Sequence, residues 1–370
     1  MSRARTFADL ATASEAGSLS NRNLVINGDM AVAQRGTSTS SVTSSGYYAC
    51  DRWKLLDNSD ATLTISQATD LPSGQGFNNS FKIDVTTADS SVGASQYAII
   101  RQCFEGQFLQ RLQKGFSTAK SSTVSFWVKS GLTGTHICRL YDHDNSRQIS
   151  KSYTVNAADT WEHKTITFAG DTSTGDPLDD DNAQSMTLDF WLLAGSNYTS
   201  GSLQTTWADD TAANSAVGQV NVLGNASYNW LITGVQWELG EVATPFEHET
   251  FGDNLVKCQR YYHKIDATVA YTRYATGQAE NTTQGEVYYE HPVEMRAKPT
   301  LGQTGTASNY AVYQNAGIIA CSAVPVINSA QTKKMGVINT TVSSGMTQGE
   351  ALVFLSNNNT DSYIEYIAEL

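Results

Sequence analysis

The chain has 370 residues, a net charge of −12 and only 16% charged residues, and Ser, Thr, Asn, Gln and Gly dominate its polar positions. That length suits two or three domains with a substantial core. The acidic balance, with no basic run longer than Lys333-Lys334, excludes the clustered cations that a nucleic-acid surface needs. Low hydrophobicity and high charge do not coincide, so disorder is not expected. The longest apolar run, around residues 317–327, is broken by Ser322 and Pro325. No membrane span and no secretory leader is therefore expected. Cys50, Cys103, Cys138, Cys258 and Cys321 are widely spaced without a CxxC pair, the usage of buried thiols made in a reducing compartment.

Residues 2–20 read as a short helix, with Phe7, Leu10 and Ala11 as an apolar stripe and Gly17 as its stop. In NLVINGDMAVAQRGTS, Leu24 and Ile26 are strand-like and Asn27-Gly28-Asp29 is a tight turn requiring glycine-type conformations. Arg35 or Arg52 is expected to pair with Asp29 or Asp51 and fix that loop. Alternating positions then recur: Leu63 and Ile65; Phe81, Ile83 and Val85; Val124, Phe126 and Val128; Leu188, Phe190 and Leu192. Residues 104–113 fit a short helix stopped by Gly115. Val235, Trp237 and Leu239 alternate with Gln236 and Glu238, giving the last strand of a large β domain. Thr244-Pro245 turns the chain, and Asp253 is placed to cap a helix carrying Leu255, Val256, Gln259 and Tyr262. Beyond it, strands are expected at 269–274, 285–289, 310–313, 318–326, 334–338, 351–355 and 362–368, separated by Gly and Asn turns.

Several stretches resemble tailed-bacteriophage fibre proteins, especially of marine phages. NLVINGDMAVAQRGT with GYYACDRW resembles the opening of their sandwich domain. ITGVQWELG, ATPFEHE and CQRYY resemble its end, with Glu249 standing where the family usually has Arg. NAADTW at 156–161 and residues 195–201 resemble it too, so the likeness runs in order over about 21–262. SRAR-FADL near the N-terminus resembles the segment preceding fibre domains. VEMRAKPT at 293–300 and Ala368-Glu369-Leu370 resemble the family's PVxMRxxPT turn and its ending. The layout also resembles jelly-roll carbohydrate-binding modules at the level of fold.

Little in the chain suggests catalysis. GxSxG, P-loop, dinucleotide and HxxxH patterns do not occur, and no cofactor or metal is expected. Asp179, Asp180 and Asp181 form an acidic loop that lacks alternating calcium ligands. His143, between Asp142 and Asp144, fits a turn as well as a site. Aromatic residues among amides are more informative, because sugar rings stack their CH faces on Tyr and Trp while amides bond the hydroxyls. Tyr198 and Trp207 are candidates in the first domain, and Tyr271 and Tyr274 in the second. Tyr310, Tyr313, Tyr288 and Tyr289 are the favoured glycan contacts. Tyr310 and Tyr313 fit a core pattern poorly and are flanked by Asn309, Gln314 and Asn315.

The expected fold is all-β: a jelly-roll β-sandwich at 21–250, a hinge helix at 251–264 and a smaller β-sandwich at 265–370. A short helix at 1–20 precedes them, attaching to other virion proteins through Phe7 and Leu10. The resemblance implies a non-enzymatic, homotrimeric fibre or spike protein, made in the host cytoplasm and carried on the virion, whose last domain binds host-surface glycan. The other readings are a capsid or tail decoration protein and a glycan depolymerase.

Overall fold

The computed structural model describes residues 21–315 and 317–370, so the expected attachment segment with Phe7 and Leu10 lies outside the described residues. These are all-β, with antiparallel sheets and a few short helices. They divide into one unit reaching Asn254 and another over Leu255–Glu369.

The first unit carries β1 (Ser38–Val42), β2 (Gly46–Tyr47), β3 (Lys54–Asp57), β4 (Thr62–Ala68), β5 (Ser80–Thr87) and β6 (Tyr97–Glu105). After them come β7 (Ser122–Ser130), β8 (Gly134–Asp142), β9 (Arg147–Val155), β10 (Glu162–Phe168), β11 (Gln184–Ala194), β12 (Ala208–Asp209) and β13 (Asn229–Leu239). They form a six-stranded sheet, β1-β4-β5-β13-β7-β10, and a seven-stranded sheet, β12-β9-β8-β11-β6-β3-β2. Trp53, Phe126, Phe190 and Trp237 are fully buried in the core they share. Phe126 meets Phe190 edge-on at 4.9 Å, and Phe104 meets Trp237 at 5.0 Å. Side chains of this size contribute roughly 2–3 kcal/mol each by burial. The closing strand β13 does not lie at an edge: it sits between β5 and β7, so the end of the domain's sequence is inside its sheet.

The second unit carries β14 (Tyr262–Asp266), β15 (Arg273–Ala279), β16 (Gln284–Glu290), β17 (Thr300–Gln303) and β18 (Tyr310–Gln314). They are followed by β19 (Gly317–Ala320), β20 (Val326–Ile327), β21 (Met335–Thr341), β22 (Ala351–Ser356) and β23 (Tyr363–Ile367). A three-stranded sheet, β14-β23-β17, and a seven-stranded sheet, β19-β18-β22-β15-β16-β21-β20, share a core. Ile364 and Tyr366 enter it from the first, and Tyr310, Val312, Val287 and Phe354 from the second.

Some local expectations change. The helix is Phe251–Gln259, and residues 262–264 belong to β14, so no hinge helix extends to 264. Thr250 rather than Asp253 is its cap: Asp253 donates its backbone N–H to the Thr250 hydroxyl at 3.2 Å, which donates back to the Asp253 carboxylate at 2.7 Å. The cap thus sits one turn earlier than expected, with Asp253 at the third helical position holding the Thr250 hydroxyl. Residues 269–272 form a turn, held by the Thr272 hydroxyl donating to the Val269 carbonyl, and the strand begins at Arg273. Leu24 and Ile26 form no strand: Leu24 donates to the Trp237 carbonyl at 2.8 Å, and the Gln102 side chain takes both backbone groups of Ile26 at 2.8 Å.

Candidate functional site

The sequence signatures of the first unit prove to be internal ties. Asn27, in the left-handed region at φ 58°, donates to the carbonyls of Val32 and Asp51 and accepts from Val32. Gly28 is needed for space: a Cβ there would lie 2.1 Å from the Val235 oxygen of β13. Asp51 accepts from Gln34 and lies 3.7 Å from Arg35, so this loop is closed by an Arg35–Asp51 ion pair, while Arg52 donates to the Cys103 carbonyl. In ITGVQWE and ATPFEH, Glu238 accepts from the Thr244 backbone and hydroxyl, and Glu247 accepts from the backbones of Arg22 and Asn23. In the second unit Arg296 of VEMRAKPT donates to the carbonyls of Ala368 and Glu369, tying that turn to the residues that follow β23. None of these groups is presented for chemistry.

The outer face of the seven-stranded sheet of the first unit carries buried charge. There Asp189 is paired with Arg101 at 2.6 Å and Arg139 at 2.7 Å; at the end of β8, on the side of Leu140, Lys114 lies between Asp142 and Asp171. These partners are mutually satisfied. His143 packs against Tyr141 and contacts the Thr187 hydroxyl at 3.4 Å; burial pushes it down to about 4, so it is neutral near neutral pH. Tyr198 packs against Trp191 and Tyr97, and Trp207 spends its N–H on the Ala169 carbonyl. Asp179, Asp180 and Asp181 are exposed. Among the described residues no group of three or more His, Cys, Asp or Glu side chains converges as a metal site would.

The four favoured tyrosines separate by face. Tyr310 is fully buried, donates to the Tyr363 carbonyl at 2.7 Å and stacks on Phe354, so it cannot touch a ligand. Tyr289 points the same way: it stacks on Tyr366 at 5.5 Å and shares a 2.7 Å hydrogen bond with His263. Tyr274 is also core, and Gln314 is occupied by Thr347 and Glu350. Tyr313 and Tyr288 remain, 38% and 42% exposed.

Register brings these two together. Tyr313 of β18 pairs with Val353 of β22, Val353 with Thr276 of β15, and Thr276 with Tyr288 of β16. Directly paired residues point to the same face, so Tyr313, Val353, Thr276 and Tyr288 form one row across the outer side of the sheet. Ile318 of β19 extends it at one end and Val337 of β21 at the other. The two rings stand three strands apart, ~14 Å at the usual spacing. The neighbouring row is polar: Gln278, Glu286 and Asn339, paired in that order. Two rings at oligosaccharide spacing, with amides and a carboxylate alongside, are the parts a sugar chain requires. Strict alternation in QGEVYYE and YAVYQ was the signal that Tyr288 and Tyr289, or Tyr310 and Tyr313, cannot serve one face together.

No family model matches the chain and no curated protein is similar to it. Among solved structures, the enzymatically active domain of tailspike protein 4 of bacteriophage CBA120 is similar at 15% identity and a TM-score of 0.33, over 59% of this chain. The match spans 21% of that tailspike's length. A putative sugar-binding protein from Bacteroides thetaiotaomicron is similar at 13% identity and a TM-score of 0.32, covering 59% of this chain and 100% of that one. A family 11 carbohydrate-binding module from Clostridium thermocellum, in complex with a mixed-linked tetrasaccharide, follows at 12% and 0.29, covering 56% and 98%. At such identities and scores no ligand or activity transfers from them.

Proposed function

We propose that the chain is a non-enzymatic fibre or spike-type structural protein of a tailed-bacteriophage virion, made in the host cytoplasm. In this reading it attaches to other virion proteins through residues 1–20 and binds host-surface glycan across the open sheet face of the second unit. The observation that carries the binding role is the shared row of Tyr313 and Tyr288, exposed on one face while Tyr310 and Tyr289 are turned to the core. The fibre role is supported by the run of family-like motifs over about 21–262.

Adsorption of the full chain to host cells tests the binding role. Tyr288→Ala with Tyr313→Ala is expected to weaken it by at least about tenfold, as loss of aromatic anchors does, without moving the melting temperature. Undiminished adsorption would sink the assignment. Host polysaccharide incubated with the protein keeps its chain length in this reading, and shortening would replace binding with cleavage.

Assembly as a homotrimer belongs to the same reading. The short helix expected from the sequence of residues 2–20, with its Phe7 and Leu10 stripe, would gain a core only against copies or a partner. Light scattering of the full chain is expected to give three times the monomer mass. A stable monomer at micromolar concentration would rule the trimer out.

A further inference from the structure

The two ends of the tyrosine row differ in charge. Tyr313 is paired with Val353 and Ile318, and Asn315 follows in the turn after β18, all uncharged. Tyr288 lies between Glu286 and Glu290, two residues to either side on the same strand and therefore on the same face, each ~7 Å away along it. Glu280, two residues beyond Gln278, adds a third carboxyl and is hydrogen-bonded to Glu286. Desolvation and this acidic neighbour raise the Glu286 carboxyl from its ordinary value. Arg273 is the one basic residue that the strand ladders set on this face, at the Leu355 position, away from Gln278 and Glu286. A ring face flanked by carboxylates attracts an ammonium by cation–π and Coulomb terms together and repels an anionic sugar.

We infer that the Tyr288 end of the row receives a protonated amine, so that the glycan bound is one with free amino groups rather than a neutral or uronic-acid polymer. This rests on the sheet face being the glycan site. Glu286 and Glu280 are the residues that select the amine, and Tyr313 and Tyr288 supply the stacking common to all sugars.

Three tetrasaccharide probes test it against the full chain by calorimetry at pH ~6, where sugar amines are protonated: glucosamine tetramer, its N-acetylated form and galacturonate tetramer. The free-amine form is expected to bind about tenfold more tightly than the acetylated one, and the galacturonate form most weakly. Glu280→Gln with Glu286→Gln should abolish the native chain's preference for the amine form; neither side chain is buried, so folding is preserved. Equal binding of the amine and acetylated forms, or a preference that survives the double substitution, overturns the amine assignment. If no tetramer binds while cell adsorption still depends on Tyr288 and Tyr313, the amine assignment falls alone. If adsorption does not depend on those tyrosines, the sheet-face reading falls with it.

Discussion

Replacing Asp189 by alanine is expected to destabilise the first unit by about 3–5 kcal/mol, because it leaves two buried cations without their shared anion. The carboxylate is wholly buried on β11. It accepts from Arg101 Nε at 2.6 Å and Nη2 at 2.8 Å, and from Arg139 Nε at 3.0 Å and Nη2 at 2.7 Å. Arg139 is further held by Gln148 and Ser215 and lies over the rings of Tyr141 and Trp191. Neither guanidinium can turn to water without breaking that packing. Burial alone would raise the acid's pKa, but the two arginines more than reverse it and hold it well below 3.8. With the folded value depressed, this pair's stability is complete above the unfolded value and is lost only as pH falls through the folded one. Urea unfolding measures the effect, and a loss below about 1 kcal/mol would mean that the cations are solvated. The triple change Asp189→Leu, Arg101→Met, Arg139→Met should recover most of the loss, since apolar replacements remove the desolvation cost together with the charges.

Trp237→Ala is expected to cost a similar ~3–5 kcal/mol through the cavity it leaves. The indole is fully buried on β13, meets Phe104 edge-on and donates its N–H to the Ser122 hydroxyl at 2.9 Å. At Trp237 the strand is paired to Val124 of β7 on one side and bonded to Asn23 and Leu24 on the other, so its neighbours are fixed and cannot collapse into the gap. An unchanged melting temperature would refute the placement of this strand inside the sheet. The contrast with the tyrosine pair is diagnostic: truncation at 237 should lower stability, whereas truncation at 288 and 313 should lower adsorption alone.

The chain's local order was legible because it is written within a few residues. Alternation at Val124, Phe126 and Val128 located β7, and that at Val235, Trp237 and Leu239 located β13. The burial of Phe126, Phe190 and Trp237 follows from the same patterning. Strand boundaries in the second unit were less accurate, since a turn held by the Thr272 hydroxyl is indistinguishable in composition from a strand of Val, Ala, Tyr and Thr.

What the motifs do was not legible. Asn27 and Gly28 are used by partners on β13 and in the Asp51 loop, and Glu247 holds residues 22 and 23 from the other end of the domain's sequence. Nor could sequence separate the tyrosines that bind nothing from those left exposed. Alternation by itself, read strictly, assigns Tyr288 and Tyr289 to opposite faces, but it does not say which face is covered. That Tyr313 and Tyr288 stand in one row depends on β18, β22, β15 and β16 being neighbours, although they occur in the chain as β15, β16, β18 and β22. Hydrophobic periodicity sets the face of each strand; only the pairing of distant strands, driven by burying the common core around Phe354 and Tyr310, sets which exposed side chains become neighbours.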